Sequence, residues 1–145
     1  MPSCPESTMY NTPVAPGSPR VLIVDDEPAI CSALAQVLRR AGFDPVVALG
    51  AAEADNLLSG SISAMLVDLR MAYVRGDVFY YSAAARFPIL GRRTIFITGD
   101  ISREAEQIIG HTGCPCLWKP FQNFALVDAL RTILADTAGP PAVAV

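Results

Sequence analysis

The chain has 145 residues, a formal net charge of −3 and an apolar fraction of 52%. This length suits one domain, and the apolar fraction is sufficient for a hydrophobic core. The acidic balance and the lack of Lys/Arg clusters exclude the basic surface that direct nucleic-acid binding requires.

The domain boundaries follow from local composition. Prolines and small polar residues dominate residues 1–19, and a Gly-Pro-Pro run interrupts the other end of the chain. Such segments bury too little surface to offset the entropy lost on ordering. We therefore expect a flexible arm at residues 1–19, one folded unit at residues 20–136 and a flexible tail at residues 137–145.

The sequence pattern predicts neither a membrane span nor an export signal. Its apolar runs, such as residues 21–24 and 64–67, are far shorter than the ~18 residues of a spanning helix. The N-terminal segment lacks the basic and apolar regions of a secretory signal. We therefore expect a cytoplasmic protein that has no membrane partner.

Short apolar runs alternate with helical patterns along the folded unit. Five runs predict strands, at residues 21–24, 46–48, 65–67, 94–98 and 116–118. Most are apolar at successive positions, as in a parallel sheet with helices on both faces. Pro45 is tolerated only at the start of an edge strand, so the second strand is predicted to lie at an edge.

Five helical patterns follow these runs. The first covers residues 28–42 and the second residues 51–59. The third begins near Gly76 or Asp77, and the fourth begins after a cap at Asp100 or Ser102. The fifth covers residues 123–135. Strands that alternate with helices imply right-handed crossovers. The predicted fold is therefore α/β, with a doubly wound, five-stranded parallel sheet.

Polar side chains follow four of the five predicted strands. Asp25 and Asp26 follow the first, Asp68 the third, Thr98 the fourth and Lys119 the fifth. In doubly wound sheets the loops at the carboxyl ends of the strands form the binding crevice. Because parallel strands share one polarity, we expect these residues to meet at one rim of the sheet.

Such a group of residues has a specific chemistry. Three neighbouring carboxylates repel one another, and one would take up a proton unless a cation compensated the charge. Mg²⁺ prefers oxygen ligands and keeps several waters, which leaves space for a phosphate oxygen. We predict that Mg²⁺ lets Asp68 attack phosphorus, while Lys119 and the Thr98 hydroxyl bind the phosphate.

The same residues resemble the receiver domain of two-component response regulators. The similarity lies in VLIVDDEP at residues 21–28, MLVDLRM at residues 65–71, ITGD at residues 97–100 and WKPF at residues 118–121. The resemblance implies a flavodoxin-like sheet of order 2-1-3-4-5 with five helices. It also implies that Asp68 takes a phosphoryl group from a phosphohistidine on a sensor histidine kinase or histidine phosphotransfer domain.

The resemblance assigns further roles around Asp68. Mg²⁺ would be held by Asp25, Asp26, Asp68 and the main-chain carbonyl of Arg70. Thr98 and Lys119 would contact the phosphate, and the peptide bond from Lys119 to Pro120 would be cis. Gly76 matches a glycine that precedes the third helix in the family.

Two positions depart from the family pattern. Ala72 stands where proline commonly follows the methionine, so we expect a more mobile loop there. Cys116 stands where the family has Tyr or Phe, an aromatic that turns inward when the threonine engages the phosphate. Trp118 points to the same face of the strand, and we hypothesise that it replaces part of that role. The alternative is that Trp118 only packs under the fourth helix.

Three functions compete at this point. The preferred one is a phosphoacceptor switch that acts on a downstream protein partner and is not a turnover enzyme. The sequence does not decide whether the protein forms a homodimer. We expect it to stand alone because no second domain follows residue 136, although a fragment of a longer regulator or hybrid kinase fits equally. The second is a receiver-like binding module that does not switch, because of Cys116. The third, a haloacid-dehalogenase-like phosphatase, is disfavoured because Arg70 occupies the place of its second acid.

Overall fold

The computed structural model describes residues 15–135. The predicted arm therefore lies outside the described residues as far as residue 14, and the predicted tail lies outside them entirely. None of the helices in residues 15–135 has both the length and the apolar character needed to cross a membrane.

Five strands and five α-helices alternate along the described chain. The strands are β1 (Arg20–Val24), β2 (Asp44–Ala48), β3 (Ile62–Asp68), β4 (Thr94–Thr98) and β5 (Cys116–Trp118). The helices are α1 (Pro28–Arg40), α2 (Ala51–Leu57), α3 (Gly76–Arg86), α4 (Arg103–Thr112) and α5 (Asn123–Ala135). A short 3₁₀ helix, Pro88–Arg92, which the sequence analysis did not predict, connects α3 to β4.

All five strands are parallel, and their order is β2-β1-β3-β4-β5, which confirms the predicted topology. The edge position of β2 is also confirmed, and Pro45 is its second residue. β2 and β3 begin earlier than predicted. Asp44 and Ile62 both align with Arg20 of β1, so pairing with β1 extends these two strands past the polar residues that ended the apolar pattern.

Helices cover both faces of the sheet and enclose two hydrophobic cores. One core joins the sheet to α2, α3 and α4 and contains Met65, Phe79 and Phe96. The other joins the sheet to α1 and α5 and contains Leu38, Leu66 and Leu130. Because the central strands are buried on both faces, their carboxyl ends are held in fixed positions.

The loop that leads from β4 to α4 ends in a helix cap. The hydroxyl of Ser102 accepts a hydrogen bond from the backbone N–H of Ala105 at 3.1 Å, so Ser102 and not Asp100 is the N-cap. The carboxylate of Asp100 instead accepts from the backbone N–H of Ser102 at 2.9 Å. This arrangement gives the loop after Thr98 a defined conformation.

Candidate functional site

Three carboxylates meet at the carboxyl ends of β1 and β3. Each of Asp25, Asp26 and Asp68 offers an oxygen within 4.8 Å of the other two. Asp25 and Asp68 are 1% and 5% exposed, and Asp26 is half-buried. Val24 aligns with Val67 across the β1–β3 pair, so Asp25 and Asp68 follow neighbouring positions in the sheet.

The backbone fixes the orientation of Asp25. Its N–H donates to the carbonyl of Ala48 at 3.1 Å, which continues the β1–β2 ladder past the end of the strand. Its Oδ1 accepts from the backbone N–H of Glu27 at 3.0 Å. Within the described residues, the buried Oδ2 has no hydrogen-bond partner. This orphaned oxygen lies within ion-pair distance of the Lys119 ammonium.

Lys119 brings a positive charge to this cluster from the end of β5. Its ammonium lies 3.6 Å from Asp25 Oδ2, 3.9 Å from Asp68 Oδ2 and 3.9 Å from Glu27 Oε1. Its backbone N–H donates to the carbonyl of Thr98 at 2.8 Å, and the peptide bond to Pro120 is cis. One ammonium is therefore shared among several carboxylates at distances longer than a close hydrogen bond.

The Thr98 side chain is fully buried at the end of β4. Its hydroxyl oxygen accepts from the backbone N–H of Asp100 at 3.0 Å. That bond does not use the hydroxyl proton, which stays available to donate. Strand polarity places Thr98 on the same rim of the sheet as Asp68, because Ile97 aligns with Asp68 in the β3–β4 pair.

Burial makes the acidic cluster unfavourable when all its members are charged. It raises the pKa of Asp68 to about 7, and the neighbouring charge of Asp25 adds to this, while Lys119 and the N–H of Arg70 oppose it. Burial also raises the pKa of Asp25, against a hydrogen bond from the Glu27 N–H and the charge of Lys119. The cluster therefore needs more positive charge than Lys119 provides.

The donor set fits a hard divalent cation. The three side chains that could bind a metal offer carboxylate oxygens, which Mg²⁺ prefers, and the Oδ2 of Asp25 lacks a hydrogen bond among the described residues. Asp26 is held in place because its Oδ2 accepts from the backbone N–H of Ala72 at 2.8 Å. A cation there would replace the missing hydrogen bond and relieve the repulsion.

The N–H of Ala72 is a feature that sequence reasoning missed. The sequence analysis considered Ala72 only because it replaces the proline that is common at this position, and it predicted a more mobile loop for that reason. In the structure, the position supplies the backbone donor that binds Asp26. Proline has no N–H and could not make this bond. Only the loop conformation shows this contact, so no sequence pattern would have indicated it.

Gly76 allows α3 to begin directly against the end of β3. Its N–H donates to the carbonyl of Leu69 at 2.8 Å. A Cβ at this position would collide with the carbonyl oxygen of Asp68 and would lie 3.0 Å from the Leu69 Cα. The glycine that the family resemblance singled out is therefore explained by close backbone contact beside Asp68.

Arg70 and Asp100 form an ion pair that the sequence analysis also missed. Arg70 Nε donates to Asp100 Oδ2 at 2.7 Å, and Nη2 lies 2.6 Å from the same oxygen. The two residues lie two positions after Asp68 and two positions after Thr98, respectively. Opposite charges at matching positions after adjacent strands were the available signal.

The two unusual residues of β5 lie on the side of α4. Cys116 is partly buried against the core that α4 covers, and burial raises the pKa of its thiol to about 11. Trp118 aligns with Thr98 in the β4–β5 pair and is 38% exposed. A small thiol therefore stands at the position where the receiver resemblance implies an aromatic, and Trp118, which pairs with the buried Thr98 in the sheet, is partly exposed.

The fold is similar to that of solved response regulator domains. No protein-family model matches the sequence, and no curated protein matches it either. A CheY-like response regulator receiver domain protein from Methanospirillum hungatei superposes with a TM-score of 0.77 at 23% identity, covering 84% of this chain and 98% of that one. A receiver domain from Clostridium thermocellum gives 0.76 at 19% identity, covering 83% and 97%.

A third similar structure is the chemotaxis protein CheY4 of Vibrio cholerae, with a TM-score of 0.72 and 23% identity over 81% of this chain and 100% of that one. The similarity to all three extends over nearly the whole of each known domain. The chain therefore has the flavodoxin-like fold of response regulator receiver domains.

Proposed function

We propose that this chain is a phosphoacceptor domain of a two-component phosphorelay, and that Asp68 accepts the phosphoryl group. One observation carries the proposal. A buried cluster of Asp25, Asp26 and Asp68, with Lys119 beside it, lies at the carboxyl edge of a sheet with the receiver fold. That edge is where doubly wound sheets bind their ligands.

The metal in this proposal is Mg²⁺. Asp25, Asp26, Asp68 and the main-chain carbonyl of Arg70 would hold it. When bound, it would neutralise negative charge on the phosphoryl oxygens. The support for this assignment is the all-oxygen donor set and the buried Oδ2 of Asp25, which has no hydrogen-bond partner among the described residues.

The transfer itself needs a nucleophile and groups that receive the phosphoryl charge. A carboxylate oxygen of Asp68 forms a bond to phosphorus, and the bond from phosphorus to the donor histidine nitrogen breaks. The electron pair stays on the imidazole, whose other ring nitrogen carries a proton, so the ring leaves as neutral histidine. Lys119 and the hydroxyl of Thr98 bind phosphoryl oxygens, since both lie at the same rim as Asp68.

The proposed partners follow from this chemistry. The phosphoryl donor is a sensor histidine kinase or a histidine phosphotransfer domain, and the transfer takes place in the cytoplasm. The output is a change in affinity for a downstream protein. The domain promotes its own phosphorylation and dephosphorylation and is not a turnover enzyme. Arg70, where a phosphatase would have its second acid, is engaged by Asp100.

A second function is favoured by one specific observation. Cys116 is small and partly buried, and it cannot swing as an aromatic would. A receiver-like module with this residue would bind its partner equally with and without phosphorylation. Partner affinity in the presence and absence of beryllium fluoride, a phosphoryl mimic, separates the two functions. A difference supports the switch, and equal affinities support the non-switching module.

Intact-mass measurement tests the acceptor directly. The protein is incubated with acetyl phosphate and Mg²⁺, and Asp68→Asn and Asp128→Asn are treated in parallel. Asp128 is an exposed carboxylate on α5 and serves as the matched control. One added phosphate is expected on the wild type and on Asp128→Asn, and none on Asp68→Asn. A phosphate that persists on Asp68→Asn would contradict the assignment.

A further inference from the structure

A cleft opens at the end of β1, beside Asp26. It has a volume of about 330 Å³ and lies between the loop that precedes α2 and the loop that precedes α3. Its walls are mainly apolar side chains, which include those of Leu49, Ala51, Met71 and Val74. Small-ligand pockets have about this volume or more, and they combine apolar walls with a few polar groups. The cleft therefore suits a small ligand with an apolar body.

The charged side chains that line the cleft are both acidic. Asp26 lines it from the end of β1, and Glu53 lines it from the first turn of α2. Backbone donors orient both carboxylates. Asp26 Oδ2 accepts from the N–H of Ala72 at 2.8 Å, and Glu53 Oε1 accepts from the N–H of Leu49 at 2.6 Å. Each carboxylate has further lone pairs with which it can bind a ligand.

The negative charge of the cleft is not compensated. Within residues 15–135, neither Asp26 nor Glu53 forms an ion pair with a lysine or arginine. The ammonium of Lys119 is instead shared among three other carboxylates, those of Asp25, Glu27 and Asp68. Charge complementarity therefore favours a ligand that carries a positive charge.

An exposed aromatic ring lines the same cleft. The side chain of Tyr73 is 100% exposed, and that of Leu49 on the opposite loop is 45% exposed. A ligand held between the two loops would remove this apolar surface from water. The face of an aromatic ring also attracts cations. Tyr73 therefore adds to both features that the cleft requires of a ligand.

We propose that this cleft is a binding site for a small organic cation. The ammonium of the ligand pairs with the carboxylates of Asp26 and Glu53, which accept its N–H donors. The apolar body of the ligand lies against Leu49, Met71 and Tyr73. The site goes beyond the proposed function of Asp68, because neither Mg²⁺ nor a phosphoryl group takes part in it.

The test uses phenethylammonium as the probe. It is titrated into isotope-labelled protein in a metal chelator while the NMR signals of the backbone amides are recorded. Saturable shifts are expected in the two loops of the cleft, at residues 49–53 and 71–74, with a Kd of about 1 mM. Phenethyl alcohol, which lacks the charge, should bind about fivefold more weakly. Methylammonium, which lacks the apolar body, should bind about tenfold more weakly.

A substitution of Glu53 tests the contribution of the acid. Glu53→Gln removes the charge but keeps an oxygen that accepts from the Leu49 N–H, so the affinity for phenethylammonium should fall about fivefold. Glu106→Gln is the matched control. Glu106 is an exposed acid on α4 that lies outside the cleft, and its loss changes the net charge equally. The affinity of this control should equal that of the wild type.

The outcomes distinguish a specific site from general attraction to an acidic protein. Equal affinities for phenethylammonium and phenethyl alcohol would overturn the proposal, and so would shifts that lie outside the two loops. Equal weakening by Glu53→Gln and Glu106→Gln would overturn it as well. Because the titrations contain neither Mg²⁺ nor a phosphoryl donor, a negative result would leave the proposed function of Asp68 untouched.

Discussion

Replacement of Asp68 by asparagine should stabilise the metal-free domain near pH 8. Burial, followed by the charge of Asp25, raises the pKa of Asp68 from 3.8 to about 7. Because the folded-state pKa is the higher one, the folded protein binds more protons than the unfolded chain between about pH 4 and pH 7. The free energy of unfolding therefore falls as the pH rises through this window. The asparagine side chain is neutral at every pH in this window, so the variant does not lose this stability.

The size of the effect follows from the shift. A difference of about 3 pKa units corresponds to about 4 kcal/mol at the usual 1.36 kcal/mol per unit. The measured effect should be smaller, because burial also raises the pKa of Asp25, so the two neighbouring carboxylates share the cost of ionisation. We expect Asp68→Asn to stabilise by about 2 kcal/mol near pH 8, or roughly 6–8 °C in Tm, and by close to nothing near pH 4.

The assay is thermal unfolding followed by circular dichroism from about pH 4 to pH 8 in a metal chelator. Wild type and Asp68→Asn are compared with Asp128→Asn, in which an exposed carboxylate is lost at no cost to the site. Added Mg²⁺ should raise the wild-type Tm near pH 8 and narrow the gap. A metal-free Asp68→Asn that is less stable than wild type near pH 8, or a gap that does not shrink in acid, would refute the reasoning.

Three further predictions follow from individual contacts. Ala72→Pro removes the N–H that binds Asp26, so Mg²⁺ affinity measured by calorimetry should fall by about 3- to 10-fold, and an unchanged affinity would contradict this role. Gly76→Ala drives a methyl group into the backbone at the end of β3 and should cost about 2–3 kcal/mol in urea unfolding; Gly60→Ala, with open space around it, is the control. The fluorescence of Trp118 should change when the protein is phosphorylated, and a constant signal would exclude a switching role for this residue.

The sheet could be predicted from the sequence because two independent signals agree. The successive apolar residues of β1 and β4 require cover on both faces, and the helical patterns between strands supply it. The boundaries were less predictable. β3 begins at Ile62 because Ile62 pairs with Arg20 of β1, while a register shift leaves out Ser63, the polar residue that interrupts the apolar run. Tertiary pairing, which a local pattern does not contain, decides such ends.

The candidate site likewise has one part that could be predicted from the sequence and one part that could not. Asp25, Asp68 and Lys119 could be placed at one rim because strand polarity alone sends their strands' ends to the same edge. The bond from the Ala72 N–H to Asp26 could not be placed, because it depends on the path of a loop. The sequence therefore predicts which side chains gather, whereas the structure shows which backbone groups and ion pairs hold them there.

The same physical cost links stability to function in this cluster. Burial raises the pKa values of Asp25 and Asp68, and the charge of Asp25 adds to the shift at Asp68, so three carboxylates with one ammonium are costly to keep ionised there. A cation that binds only the folded state relieves the repulsion and so gains affinity from the instability of the empty cluster. Mutations that lower the repulsion, such as Asp68→Asn, should therefore stabilise the metal-free fold and weaken metal binding together. A site selected for stability alone would not bury these carboxylates side by side.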